Sequence, residues 1–334
     1  MPSAPPSSFR PPWWLAGAHR QTLWPALTRR VPTPPWRRER LDLPDGDFLD
    51  LDWSRSKAAG ARGERVVVVS HGLEGNSRRP YMAGLVRALN HAGWDAVSWN
   101  FRGCSGEANR TLRAYHSGSS DDLATVIAHV VKSSRCPAEL QVALAGFSLG
   151  GNVTLKHLGE LGTAPGCVTR AVVFSVPCDL GSAARAMSRR ATQPYLQHFL
   201  RTLRAKAADK VRQFPSDLPT ITRNARWDRM RTFEEFDDAF TAPVHGFRDA
   251  ADYWDRCSSK PLIERITVPT LIVNALDDPF LSPGCFPRAE AERSRTVWLE
   301  TPSGGGHVGF RGAGDRDSYW HERRAVAFLA GQVG

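Results

Sequence analysis

No two of the chain's six cysteines form a C-x-x-C pair, and no His/Cys cluster has the spacing of zinc ligands. A zinc finger and a dithiol redox motif are therefore excluded. Cys104, Cys136, Cys167, Cys178, Cys257 and Cys285 are expected as scattered, mostly buried thiols in a reducing compartment. No apolar run approaches the roughly 20 residues that a membrane-crossing helix needs. The opening stretch MPSAPPSSFRPPWWLAGAHR lacks a basic segment followed by a long apolar one. No secretory leader is expected, and the expected location is cytoplasmic. The net charge is +10, yet no block of five or six like charges occurs. Arginine far outnumbers lysine, and an arginine-rich surface accounts for the excess. The densest basic stretch, RRVPTPPWRRER at 29–40, is broken by prolines and carries no nucleic-acid motif. No nucleic-acid partner is expected. Internal repeats are also missing.

What the chain does have is alternation. RVVVVS (65–70), WDAVSWNF (94–101), LQVALAGF (140–147), RAVVFSV (170–176), TLIVNAL (270–276) and TVWLE (296–300) are continuous apolar runs. Runs of this kind are strands buried on both faces of a parallel sheet. Between them lie helical patterns at 79–93, 119–134 and 152–162. Strand and helix alternating at this spacing predict βαβ units and an α/β fold, with helices on both faces of a mostly parallel sheet. The alternation fails at 181–265, which predicts several helices and no strand. That region is expected as a helical cap inserted into an α/β domain spanning 41–334. Residues 1–40, rich in proline and tryptophan, show no steady period and are expected as an extended arm.

In AGFSLGGN (145–152) a single serine, Ser148, stands between Gly146 and Gly150 at the end of a predicted strand. The pattern G-x-S-x-G in that context is a nucleophile elbow. Ligands of parallel α/β sheets bind beyond the carboxyl ends of the strands. HGLEGN, GFSLGG, DDPF and GGGHVGF all follow predicted strands. They supply Ser148, then Asp277 or Asp278, then His307, which is the Ser…Asp…His order of α/β hydrolases. A serine hydroxyl is a weak nucleophile and needs a base; a carboxylate fixes the imidazole tautomer. Asp278, one residue deeper in the turn before Pro279, is preferred to Asp277, which would then bond or cap the turn. The backbone N–H groups of Leu73, in HGLEG, and Leu149 are the candidate oxyanion donors. His71 is expected to order its loop, and His116 in YHSG is a further candidate for the site. GGGHVG also fits G-x-G-x-x-G, but no βαβ unit follows it, so a dinucleotide site is rejected.

HGLEG, NFRGCSGE (100–107), YHSG (115–118), GFSLGGN, DDPF and GGHVGF occur in this order, preceded by AHRQTLWP (18–25) and LPDGDFLDLDW (43–53). In this set the chain resembles the YheT-like α/β hydrolases, a bacterial group related to the eukaryotic ABHD1/ABHD3 lipase-like proteins. The resemblance covers nearly the whole chain. It implies an α/β-hydrolase fold and a serine hydrolase of carboxylic esters, with Ser148 as nucleophile, His307 as base and a DDPF aspartate as third member. Relatives in this group are linked to lipid substrates, and which ester is taken stays open. The reading of the residues calls for no metal or organic cofactor, takes a small-molecule ester, lipid esters included, and leaves peripheral membrane contact open. Two other functions use the same residues or scaffold: acyl transfer to an alcohol or thiol, and non-catalytic lipid binding.

Overall fold

RVVVVS has no polar side because neither of its faces meets water. In the computed structural model, which describes residues 7–57, 65–134, 137–162 and 166–332, this run is β3 (Arg65–Ser70). Val66 and Val68 join one apolar cluster, and Val67 and Val69 join another. Successive strand side chains point to opposite faces, so the two clusters flank the sheet. The other strands are β1 (Arg37–Asp42), β2 (Phe48–Ser54), β4 (Asp95–Trp99), β5 (Gln141–Phe147), β6 (Val168–Phe174), β7 (Thr270–Val273) and β8 (Val297–Glu300). Their order is β1-β2-β4-β3-β5-β6-β7-β8. The six strands from β4 to β8 pair in parallel. β2 runs antiparallel to both of its neighbours.

β1 and β2 lie outside the six runs recognised as strands, and the reason is charge. β1 is RRERLD, an exposed edge strand, and β2 buries Asp50 and Asp52. The register sets Arg38 opposite Asp52 and Arg40 opposite Asp50, with ion pairs at 2.7 and 2.9 Å. Buried carboxylates are tolerated only when paired, so the polar letters belong to the ladder itself.

The arm is a second departure. It is not extended throughout, because Ala18–Thr28 forms a helix, α1. Helix α2 (Pro80–His91) packs one face of the sheet with the C-terminal helix Trp320–Leu329. Helices α3 (Ser120–Lys132) and α4 (Leu149–Leu161) pack the other. Between β6 and β7 no strand intervenes. Helices α5 (Leu180–Met187) and α6 (Gln193–Gln213) lead through shorter turns to a helix at Ala250–Cys257. Leu196, Leu200, Met230, Phe236 and Phe240 form a small core within this insertion, and Phe280 joins it from the loop after β7. Among the described residues no helix is long and apolar enough to cross a membrane. Cys104, Cys178, Cys257 and Cys285 are buried thiols and Cys167 is half-buried, while Cys136 lies outside the described residues.

Candidate active site

Ser148 ends β5 and caps α4 with φ 51° and ψ −121°, a backbone state that a side chain adopts only under constraint. The constraint is packing. A Cβ on Gly146 would stand 2.6 Å from the Gly150 carbonyl oxygen, and one on Gly150 would stand 2.4 Å from that of His71. Neither position admits a side chain, which accounts for both glycines of the motif. The Ser148 N–H donates to the Phe174 carbonyl at 2.9 Å, fixing the turn against β6.

His307 Nε2 lies 3.0 Å from Ser148 Oγ. His307 Nδ1 lies 2.9 Å from Asp278 Oδ2 and 3.1 Å from Oδ1. The Asp278 side chain is fully buried and also accepts the Phe280 N–H at 2.9 Å. With the carboxylate beside it, Nδ1 holds the proton, which leaves Nε2 free to accept from the serine hydroxyl. Asp277 turns elsewhere and accepts the Gly306 N–H at 2.9 Å. Burial raises its carboxyl above the usual range, the Asp278 charge adds to this, and the Gly306 N–H opposes it. The structure therefore brings Ser148, Asp278 and His307 together and leaves Asp277 as a brace of the histidine loop.

The HGLEG loop lies against the serine, since a Cβ on Gly72 would come within 3.3 Å of Ser148 Cβ. Among the described residues neither the Leu73 nor the Leu149 N–H has a protein acceptor. The N–H groups on either side of Leu73 are engaged. The Tyr81 hydroxyl accepts the Gly72 N–H at 3.0 Å, and the Tyr115 hydroxyl accepts the Glu74 N–H at 3.1 Å. Lys206 of α6 donates to Glu74 Oε1 at 2.8 Å and so ties the loop to the helical insertion. His71 is fully buried, with Nδ1 2.7 Å from the Gly72 oxygen and Nε2 accepting the Phe101 N–H at 3.1 Å. Burial lowers its pKa to about 3, so it stays a neutral strut of the loop. His116 does not join the three. It packs on His245 and Tyr253 of the insertion, and it lines a hollow with Leu112, Arg113, Val244 and His245.

Several supporting residues escaped the sequence reading. Thr22 of α1 accepts the His307 N–H at 2.9 Å, and its own hydroxyl donates to the Ala18 carbonyl. Gln21 is fully buried and exchanges two hydrogen bonds with the Arg311 backbone, both at 3.0 Å. Ser175 Oγ accepts the Val308 N–H at 2.9 Å. Asn152 holds the carbonyls of Ser117 and Cys257 and the N–H of Ser259, anchoring the end of the insertion to the elbow helix. Gln21 and Thr22 sit in AHRQTLWP, and Asn152 closes GFSLGGN. Two polar letters between glycine- and tryptophan-rich stretches were the only available signal.

A mostly parallel eight-stranded sheet, helices on both faces and a serine at a strained strand-to-helix turn define an α/β hydrolase. Residues 61–295 match the Hydrolase_4 family, described as Serine aminopeptidase, S33. The chain is 40% identical over 309 residues to YheT of Escherichia coli (strain K12), a protein designated an esterase; the match covers 92% of this chain and 88% of that one. It is 27% identical to human phospholipase ABHD3, over 96% of this chain and 78% of the relative. Among solved structures, a Pyrococcus furiosus esterase superimposes with a TM-score of 0.57 at 14% identity, over 92% of this chain and 99% of that one, a likeness of fold. The chain belongs to the YheT-like family of esterase- and lipase-type α/β hydrolases.

Proposed function

We propose that the chain hydrolyses carboxylic esters through an acyl-enzyme on Ser148. The observation that carries this reading is the continuous contact from Asp278 through His307 to Ser148, at 2.9 and 3.0 Å. His307 takes the Ser148 proton as Oγ attacks the ester carbonyl. The Leu73 and Leu149 amides receive the oxyanion, and one such donor is worth about 10²–10³ in rate. His307 returns the proton to the departing alkoxide, then activates the water that releases the acid. Asp278 holds the imidazole tautomer and stabilises the imidazolium. Thr22 is a positioning residue, because it touches the His307 backbone and not the reacting atoms. No step calls for a metal or an organic cofactor.

The substrate class is an ester with an apolar acyl chain. Phe280 packs on His307 with ring centroids 4.2 Å apart, and Tyr195 and Phe199 of α6 pack on Phe280. This aromatic wall stands beside the base, and ligand pockets are mostly apolar. The lipase and phospholipase names among its relatives agree with a lipid ester. The test is covalent labelling with a fluorophosphonate. One adduct is expected, on Ser148, and none in Ser148→Ala. An adduct on another residue of the folded protein would refute the mechanism.

A further inference from the structure

Helix α1 is built inside out. Its stripe Gln21, Thr22 and Pro25 is buried, and two of those three side chains are polar. The opposite stripe, Arg20, Leu23, Trp24 and Leu27, follows the i, i+3, i+4, i+7 spacing of one helix face and is exposed. Leu27 is 79% exposed and Trp24 44%. Trp13 and Trp14 precede the helix at 88% and 38%, and the Trp14 ring packs edge-on to Trp24 at 5.4 Å. Eight large apolar side chains stand exposed among the described residues, and five of them fall within 13–27. Scattered exposed residues need no account, but a clustered patch marks an interaction surface.

The charge around the patch decides what it meets. Residues 1–38 contain six arginines and neither Asp nor Glu; Arg29, Arg37 and Arg38 are ion-paired with Glu322, Glu39 and Asp52, which leaves Arg10, Arg20 and Arg30 to set the charge of the patch. Arg20 shares the apolar stripe, and Arg10 and Arg30 are exposed in the same arm. We infer that this face of the arm is a docking surface for an anionic lipid bilayer, with Trp13, Trp24 and Leu27 entering the headgroup boundary and the arginines meeting lipid phosphates. Tryptophan is the side chain enriched at that boundary, and an amphipathic helix with basic flanks lies in its plane. A second copy of this chain is a poorer occupant, because it would set one acid-free basic arm against another.

Docking would also place the catalytic groups. The buried stripe of the same helix holds the histidine loop through Thr22 and Gln21. Seating the outer stripe on lipid thus brings the histidine loop to within one helix diameter, roughly 10 Å, of the surface from which a lipid ester comes. That consequence, unlike the docking itself, rests on the function proposed above.

The experiment is co-sedimentation with vesicles of phosphatidylcholine alone and of phosphatidylcholine mixed with phosphatidylglycerol. The parent and Ser148→Ala should bind the mixed vesicles equally, bind the neutral ones more weakly, and lose affinity as salt rises. Trp24→Ala/Leu27→Ala should bind at least roughly tenfold more weakly, since each side chain withdraws apolar area from water. Thermal unfolding midpoints check that the double variant is folded. Trp13→Ala, at a side chain that is almost fully exposed, gives a second reading free of that concern and should also bind more weakly. Absence of parent binding to the mixed vesicles overturns the proposal, as does binding by all variants at the parent's level. Equal, salt-independent binding to both vesicle types removes the role given to the arginines and overturns it too. A dimer that Trp24→Ala/Leu27→Ala dissociates, without vesicle binding, assigns the face to a second copy instead. Because Ser148→Ala retains the surface, failure of docking and failure of the hydrolase mechanism are read separately.

Discussion

Ser148 and His307 meet at 3.0 Å, yet they are held there by opposite means. The serine is fixed mainly by its own neighbours in sequence. Gly146 lets the turn close on Gly150, Gly150 lets that turn press on the end of β3, and the strained φ is locked between them. The histidine is fixed by remote parts of the chain. Thr22 reaches it across 285 positions, Ser175 braces the next residue across 133, and Asp278 orients the ring across 29. The histidine loop needs this help because it has little of its own. GGGH turns through two glycines at φ 137° and 55°, followed by Val308 at 60°. A Cβ on Gly309 would stand 2.0 Å from the Gln21 carbonyl oxygen, so the loop is glycine-rich partly to let the arm helix touch it. One half of the site is a local motif, and the other is a tertiary assembly.

The largest test breaks the contact that sets the imidazole. Asp278→Asn should lower kcat by about 10⁴, the loss expected when the wrong tautomer faces the serine. Asp277→Asn should cost far less, about tenfold, because Asp277 bonds the Gly306 N–H and not the ring. Steady-state kinetics on one soluble ester decide it. The reverse ranking would transfer the orienting role to Asp277.

The next test asks whether the remote brace matters to chemistry. Thr22→Val keeps the shape of the side chain but leaves the His307 N–H without its acceptor in a buried place. A small displacement of a catalytic group costs up to about 10² in rate. We expect kcat to fall roughly 10- to 100-fold with KM little changed, and Thr22→Ser to restore most of it. A pure loss of stability would lower Tm in both variants and leave kcat of the folded fraction intact. That result would make the arm a structural prop only.

The same contrast explains what could be read from the letters. The elbow, the six apolar runs and the preference for Asp278 rest on short-range grammar, and the structure places each of those segments at a strand or its carboxyl end. Features set by partners far away in sequence escaped. β1 and β2 look polar because their charges cancel across the ladder. Helix α1 was hidden because its apolar stripe covers only two turns and begins on Arg20, and its inversion, with that stripe exposed, hid which face is buried. Pro25 within the helix hid it further. His116 drew notice as a histidine near the motifs, but burial and the rings of the insertion claim it.

The smallest expected effect concerns the insertion, where packing and selection need to be separated. Phe236 and Phe240 are 5% exposed and lie in the insertion's own core with Leu196 and Leu200. Shrinking either one should cost about 3–5 kcal/mol of stability, as Phe→Ala changes in cores do. Among the described residues their rings pair with Trp227 and each other and not with Phe280 or His307, so neither should change which ester is preferred. Phe199 is different. It is half-buried, and its ring lies 6.2 Å from that of Phe280, which packs on His307. Phe199→Ala removes part of the wall nearest the base. It should shift the preferred acyl chain toward longer esters, with a change in the kcat/KM ratio of about tenfold, the low end of what one methylene-sized fit is worth. The measurement is kcat/KM over esters of graded chain length for Phe199→Ala, Phe236→Ala and Phe240→Ala, each scaled to its folded fraction. A profile that moves for Phe199 alone makes the α6 face the selector of the acyl chain. Identical profiles in all three would show that the insertion does not choose the substrate, and selection would then fall to the arm that holds the histidine.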